Sequence, residues 1–113
     1  MIFLCSLGLT SYIYTARYVD MSKLERHAEQ FGALGHPARL ALLRHVVQAG
    51  SEGITTTELQ SKVDLPWTTL NHHLARLVSA GLVTAERNGK FAYHTAAYAA
   101  LKMLTDFLWE DCC

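Results

Sequence analysis

The sequence predicts a mostly α-helical domain that carries one small β-hairpin. Apolar residues recur at helical spacing through most of the chain, whereas from residue 82 to residue 95 the period changes to two around Asn88-Gly89. The length of 113 residues suits a single domain with a modest core. The order of the elements decides which fold of this class the chain adopts.

The first two helices are predicted from their ends and their apolar faces. Ser22 and Glu25 have capping-box spacing at the start of the first helix, and Gly35 ends it. Pro37 falls in the first turn of a second helix that stops at Gly50. The faces expected to be buried are Leu24, Ala28, Phe31 and Leu34, with His27 at the edge, in the first helix and Leu40, Leu43 and Val47 in the second.

A short strand at residues 53–55 and two more helices are predicted next. Thr55 and Glu58 have capping-box spacing for a short helix. After a tight turn, Pro66 begins a helix over residues 66–80 that Gly81 ends. This pair of helices has the form of a helix-turn-helix.

The chain then forms a hairpin and a last helix. Asn88-Gly89 is the preferred pair for a two-residue type I′ turn between two strands. The apolar side of the last helix is Ala97, Leu101, Leu104 and Leu108, widened by Met103 and Phe107. The complete order is that of a winged helix-turn-helix with an extra helix at each end, and we expect the two end helices to pack across a dimer axis.

The polar side of the helix over residues 66–80 is the candidate surface for reading DNA. At 100° per residue the predicted buried side is Trp67, Leu70, Leu74, Leu77 and Val78, with His73 leaning towards it as a core histidine. The candidate DNA contacts are Thr68, Thr69, Asn71, His72 and Arg76, with Arg87 and Lys90 on the hairpin. Asn suits adenine, Arg suits guanine and cations suit phosphates. Any solvated helix and hairpin are also polar outside, but the order of elements favours the DNA interpretation.

Residues 1–20 are interpreted as an N-terminal arm or upstream extension, and residues 21–113 as the DNA-binding and dimerisation domain. The apolar opening is shorter than the roughly 20 residues of a membrane helix and lacks a basic signal-peptide start. Three cysteines, Cys5, Cys112 and Cys113, do not form the framework of a secreted domain. We therefore expect a cytoplasmic protein with reduced thiols and no membrane partner.

Three stretches give the chain a family resemblance: FGALGHPARLALLRHVVQAG, LPWTTLNHHLARLVSAGLVT and ERNGKFAYH. In order and spacing they resemble the ArsR/SmtB, or arsenic-repressor, family of bacterial transcription factors, over most of the chain from residue 24 onwards. The resemblance implies a homodimeric winged-helix repressor that leaves its operator when an inducer binds. It implies no enzyme and no required cofactor, and the sequence has no H-E-x-x-H motif or Ser/Cys–His–acid cluster.

The same resemblance bears on the inducer. The stretch ELQSKVDL has no cysteine where many members have a pair, and the last helix has no histidine for a zinc site. The ending FLWEDCC resembles a subgroup whose adjacent cysteines bind As(III) or Sb(III), which implies ligation by Cys112 and Cys113, with Cys5 as a candidate third thiol. A regulator that senses redox state or reactive sulfur, or one without an inducer, remains an alternative.

Overall fold

The computed structural model describes residues 21–112, which form five α-helices and a three-stranded sheet. The helices are α1 (Met21–Leu34), α2 (Pro37–Ala49), α3 (Thr56–Lys62), α4 (Trp67–Ser79) and α5 (Tyr98–Trp109). The strands are β1 (Ile54–Thr55), β2 (Val83–Asn88) and β3 (Phe91–Ala96), and a 3-10 turn covers Gly50–Glu52. The predicted winged helix-turn-helix is confirmed. The arm over residues 1–20 lies outside the described residues.

Local sequence signals set most helix ends where they were predicted. α1 stops before Gly35, and α2 has Pro37 in its first turn and ends at Gly50, whose φ is 74°. The imidazole of His36 caps α2 by accepting a hydrogen bond from the backbone of Ala38 at 3.1 Å. These residues position α2 against the helix-turn-helix.

The capping box that starts α3 is present with both of its halves. The hydroxyl of Thr55 accepts from the backbone N–H of Glu58 at 3.1 Å, and a carboxylate oxygen of Glu58 accepts from the backbone N–H of Thr55 at 3.0 Å. The Thr55 hydroxyl also donates to that carboxylate oxygen, at 2.9 Å. These bonds hold the pKa of Glu58 below its ordinary value, the backbone bond contributing most.

The sheet is antiparallel, with β3 between β1 and β2. Asn88 pairs with Phe91, so the two turn residues are Gly89 and Lys90 rather than the predicted Asn88 and Gly89. Gly89 has a φ of 67°, and among the described residues Asp111 alone has a positive φ without being glycine. A single left-handed residue at the first turn position is the feature of a type II′ turn, not of type I′. The prediction of the turn was therefore wrong by one residue.

The core lies between the helices and the sheet, and the two predicted faces of α1 and α2 are partly wrong. α2 buries Leu42, Leu43 and Val46, whereas Leu40 and Val47 are exposed. Because apolar side chains surround much of α2, its periodicity does not select one face, and packing on β3 and α4 does. α1 buries His27, Gln30 and Ala33, while Leu24, Phe31 and Leu34 are half-buried and Ala28 is exposed.

α5 leaves much of its predicted apolar side in solvent. Leu104 is fully buried, and Leu101 and Phe107 are half-buried. The exposed fraction is 56% for Met103, 62% for Leu108 and 72% for Trp109. The C-terminal end of α5 contacts the start of α1, where Lys23 forms an ion pair with Glu110 at 3.0 Å.

Residues 21–112 include no helix that has both the length and the apolar content of a membrane span.

Candidate nucleic-acid interface

The turn between α3 and α4 is short and is held from both sides. The amide of Gln60 donates to the carbonyl of Leu65 at 3.4 Å. Pro66 precedes α4 in an extended conformation, and its carbonyl accepts from the backbone N–H of Leu70 at 2.9 Å. These contacts set the angle at which α4 leaves α3, and therefore which side of α4 faces solvent.

α4 buries one side through four residues at helical spacing: Leu70, His73, Leu74 and Leu77. The prediction that Trp67 and Val78 belong to this buried side was wrong, since their exposed fractions are 49% and 37%. Both lie on the flank of the helix, just outside the buried side that Leu70, Leu74 and Leu77 form. His73 is 7% exposed, which agrees with the core histidine predicted from the sequence.

The predicted DNA-contacting residues of α4 lie on or beside its solvent side. Thr68, Asn71 and His72 are exposed, and Thr69 is half-buried. The Asn71 amide donates to the carbonyl of Trp67 at 2.9 Å, so one of its two N–H groups is used within the helix. This surface can offer a hydroxyl, an amide and an imidazole to a DNA groove.

Arg76 lies on the flank of α4 that is next to α1. Its Nη1 atom is 3.8 Å from a carboxylate oxygen of Glu29, and both side chains remain partly in solvent. An ion pair of this length and exposure is weak. A role of Arg76 in DNA contact stays a prediction, and Glu29 would compete for the guanidinium.

The hairpin formed by β2 and β3, here called the wing, extends beside the start of α4. Arg87 and Lys90 are both exposed near its turn. Together with Trp67, Asn71, Phe91 and Thr57 they border an open groove of about 170 Å³, here called the wing groove. The structure therefore brings the two predicted wing cations next to a predicted base-contacting residue of α4.

Sequence reasoning missed the two aromatic residues of the wing groove. Trp67 was assigned to the buried side of α4 by its angular position, and Phe91 was not singled out. Phe91 is 50% exposed, a large fraction for an aromatic side chain at the start of a strand. The available signal was its position beside Lys90, directly after the turn.

Three histidines meet where α4 crosses the start of α2. The ring of His73 lies 4.7 Å from that of His36 and 5.9 Å from that of His72, measured between centroids. Burial lowers the pKa of His73, and the nearby His36, Arg39 and His72 lower it further. No group of three or more His, Cys, Asp or Glu side chains among residues 21–112, these histidines included, is arranged so that it could hold a metal ion.

His94 joins the wing to the start of α3. Its Nε2 atom is 2.9 Å from the hydroxyl of Thr56, and the side chain is 6% exposed. Burial lowers the pKa of His94, which favours the neutral ring. The neutral ring thus connects β3 to the helix-turn-helix without adding a charge.

The predicted sensor residues are described only in part. Cys112 lies three residues beyond Trp109, the last residue of α5, and it is exposed and disulfide-bonded. Cys5 and Cys113 lie outside the described residues. The reduced pair expected from the sequence is therefore not the form of Cys112 in the structure.

A helix-turn-helix domain family matches residues 34–86 of the chain. MJ1325 of Methanocaldococcus jannaschii, an uncharacterized HTH-type transcriptional regulator, is 34% identical over 74 residues, covering 66% of this chain and 81% of that protein. ArsR2 of Halobacterium salinarum, provisionally named an arsenical resistance operon repressor, is 29% identical over 76 residues, covering 67% of this chain and 63% of that protein.

A solved structure extends the comparison to the fold. The homodimeric winged helix-turn-helix DNA-binding domain of Mb0332 from Mycobacterium bovis is described as a possible ArsR-family transcriptional regulator. It matches with a TM-score of 0.64 at 26% identity, covering 81% of this chain and 85% of that chain.

Proposed function

Because this chain belongs to the ArsR family of winged helix-turn-helix transcriptional regulators, we propose that it is a dimeric repressor whose operator binding ends when an inducer binds its C-terminal thiols. The observation that carries the proposal is the juxtaposition of Asn71 on α4 with Arg87 and Lys90 on the wing around one groove. This geometry suits a helix in the major groove and a hairpin beside it.

The exposed groups of α4 have the chemistry for both kinds of DNA contact. The amide of Asn71 can pair with the edge of adenine, and the hydroxyl of Thr68 and the ring of His72 can bind phosphates or bases. Arg87 and Lys90 add positive charge at the wing, where phosphates or a minor groove would lie. Binding should therefore combine base recognition by α4 with a salt-dependent contribution from the wing.

Dimerisation supports this function because one such unit reads few base pairs. Met103, Leu108 and Trp109 are exposed on α5, which packs on α1 through Lys23 and Glu110. A second copy would cover these apolar side chains and set two α4 helices roughly 34 Å apart, one turn of DNA.

The assignment of Arg76 can be tested with its ion-pair partner. If the guanidinium contacts DNA, Arg76→Ala should weaken operator binding, and Glu29→Gln should strengthen it by releasing the side chain. The measurement is fluorescence anisotropy of a labelled duplex selected from a random library by the wild-type chain. Unchanged affinity in both variants would remove Arg76 from the interface.

For the inducer we propose As(III) or Sb(III), bound by the reduced thiols of Cys112 and Cys113 with Cys5 as the third ligand. Soft thiolates select soft centres, and adjacent cysteines supply two of them at once. A cytoplasmic location fits because thiols are kept reduced there. The name of ArsR2 supports this choice of inducer, and the disulfide at Cys112 requires that reduction precede binding.

The contacts of α1 supply a physical route from this end of α5 to the DNA-binding helix. The ring of His27 lies 4.6 Å from that of Phe107, and its Nδ1 is 2.9 Å from the amide oxygen of Gln30. The amide nitrogen of Gln30 donates to the carbonyl of Ala80, directly after α4, at 3.2 Å. A shift of α5 on metalloid binding would thus reach the end of α4 through buried contacts.

The metalloid proposal is tested by release of the duplex under reducing conditions. Arsenite should release the wild-type chain, while Cys112→Ser/Cys113→Ser should bind the duplex normally and resist release. Cys5→Ser measures the contribution of the third thiol. Release of the double variant by arsenite would refute the site, and a failure of Gln30→Ala to change release would refute the route.

The disulfide at Cys112 favours a second candidate, a repressor that senses the redox state of its thiols. In that case an oxidant should release the duplex without any metalloid, and dithiothreitol should restore binding. Cys112→Ser should abolish the response. Insensitivity of the wild-type chain to oxidation would eliminate this candidate.

A further inference from the structure

We propose that the wing groove holds one sugar–phosphate strand of the DNA, with Trp67 and Phe91 packed against deoxyribose and with Arg87 and Lys90 on the phosphates. The inference rests on the proposed DNA binding and deepens it, because it assigns a contact role to two aromatic residues and names the part of DNA that they contact.

The two aromatic side chains border the same groove from different elements. Trp67 is the first residue of α4 and Phe91 is the first residue of β3, and both are about half exposed, at 49% and 50%. A single exposed aromatic residue needs no explanation. Two large apolar side chains exposed at the same place indicate a surface that binds a partner.

The positions of both residues are fixed by their elements. Trp67 follows Pro66 directly and shares its flank of α4 with Asn71, one turn further along. Phe91 follows the two-residue turn and stacks edge-on to Tyr93 with 6.5 Å between ring centroids. Aromatic side chains have only two χ angles, so they lose little conformational entropy when a partner binds.

The charges of the groove select DNA as the occupant. Arg87 and Lys90 border it, and no acidic residue of the described chain does; Glu86 of β2 borders a different cavity, which Arg87 also reaches. Cations and apolar rings side by side match a sugar–phosphate strand, which alternates charged phosphates with apolar sugar faces. With α4 in the major groove and the wing beside the minor groove, the strand that separates these two grooves runs between them.

The test separates the apolar contribution from the charged one by its salt dependence. Trp67→Ala and Phe91→Ala should each lower duplex affinity by about tenfold while the slope of log K against log salt stays unchanged. Arg87→Gln should reduce the magnitude of that slope by about 1, the contribution of one phosphate contact. The control is Leu40→Ala, which should leave duplex affinity unchanged. Leu40 is also an exposed apolar residue, but it does not border the groove.

A spectroscopic measurement does not depend on the affinities. The chain has two tryptophans, so the emission of the wild-type chain minus that of Trp67→Phe reports on Trp67. Bound duplex should protect its emission from acrylamide. Wild-type affinity of the two alanine variants, or unprotected Trp67 in the complex, would overturn this inference alone. Failure of the wild-type chain to bind any duplex would overturn the proposed function and this inference with it.

Discussion

At the scale of single residues, buried polar side chains form hydrogen bonds between secondary-structure elements. These bonds fix the relative positions of the elements more narrowly than apolar contacts alone would. Gln30 links α1 to the end of α4, and His94 links β3 to α3. Hydrogen bonds are directional, so a buried one fixes the relative position of two elements more narrowly than packing does. His73, by contrast, has ring contacts but no hydrogen-bond partner for its Nδ1 among the described residues.

Loss of the capping box should destabilise the domain. Thr55→Ala removes the hydroxyl that accepts from Glu58 and should lower the free energy of unfolding by about 1 kcal/mol. Thr55→Ser keeps a hydroxyl and should therefore retain most of the stability that the cap contributes. Thr57→Ala, an exposed change in the same helix, should stay within about 0.5 kcal/mol. Urea denaturation measures all three, and equal losses for Thr55→Ala and Thr57→Ala would contradict the role of the cap.

Stability should fall as the pH drops below about 6.5, the ordinary pKa of histidine. The pKa of His73 is lowered in the folded state, first by burial and then by His36, Arg39 and His72. The unfolded chain therefore takes up a proton more readily, so this contribution is complete above about pH 6.5 and is lost on acidification. His73→Leu should flatten the decline of Tm between pH 7 and 5. An unaltered pH profile would refute this assignment.

At the scale of elements, Gly53 allows the chain after the 3-10 turn to approach β3 closely. Gly53 has a φ of 80°, and a Cβ there would lie 2.9 Å from the carbonyl oxygen of His94. Both the conformation and the contact exclude a side chain. The wing is thereby anchored beside β1, which keeps its turn next to α4.

Two glycine substitutions should act in opposite directions. Gly53→Ala should destabilise the domain by about 1–3 kcal/mol through strain and backbone contact. Gly32→Ala, in α1 with no atom within 4 Å of the added Cβ, should stabilise it by about 0.5–1 kcal/mol. Thermal unfolding followed by circular dichroism measures both. The same sign for the two changes would be inconsistent with the backbone geometry.

At the scale of the whole molecule, the apolar surface is distributed unevenly. Leu108 and Trp109 are exposed at the far end of α5, next to the ion pair between Lys23 and Glu110. The polar groups that we propose to contact DNA lie on α4 and the wing instead. The two surfaces are joined by α1, which contacts both α5 and the end of α4.

Charge in the apolar surface of α5 should dissociate the proposed dimer. Leu108→Glu places a carboxylate among side chains that a second copy would cover, and the chain should become monomeric and lose operator affinity. Lys102→Glu adds the same group to the polar side of α5 and should leave the mass unchanged. Sedimentation equilibrium decides the matter, and a dimeric Leu108→Glu variant would exclude this surface as the interface.

The sequence by itself determined the order of the elements, most of their ends, the capping box at Thr55 and the burial of His73. These features depend on residues close in the chain, whose spacing carries the information. It also indicated Arg87 and Lys90 as wing residues, because they lie on either side of the Asn88-Gly89 pair that predicts a hairpin.

Only the tertiary structure decided which sides of α1 and α2 are buried and where the buried side of α4 ends. Apolar side chains occupy more than one side of these helices, so the buried side is chosen by the neighbours that each helix meets. The same packing exposed Trp67, set Glu29 beside Arg76 and brought Phe91 to the wing groove. Such contacts join residues that are far apart in the chain, and no local spacing encodes them.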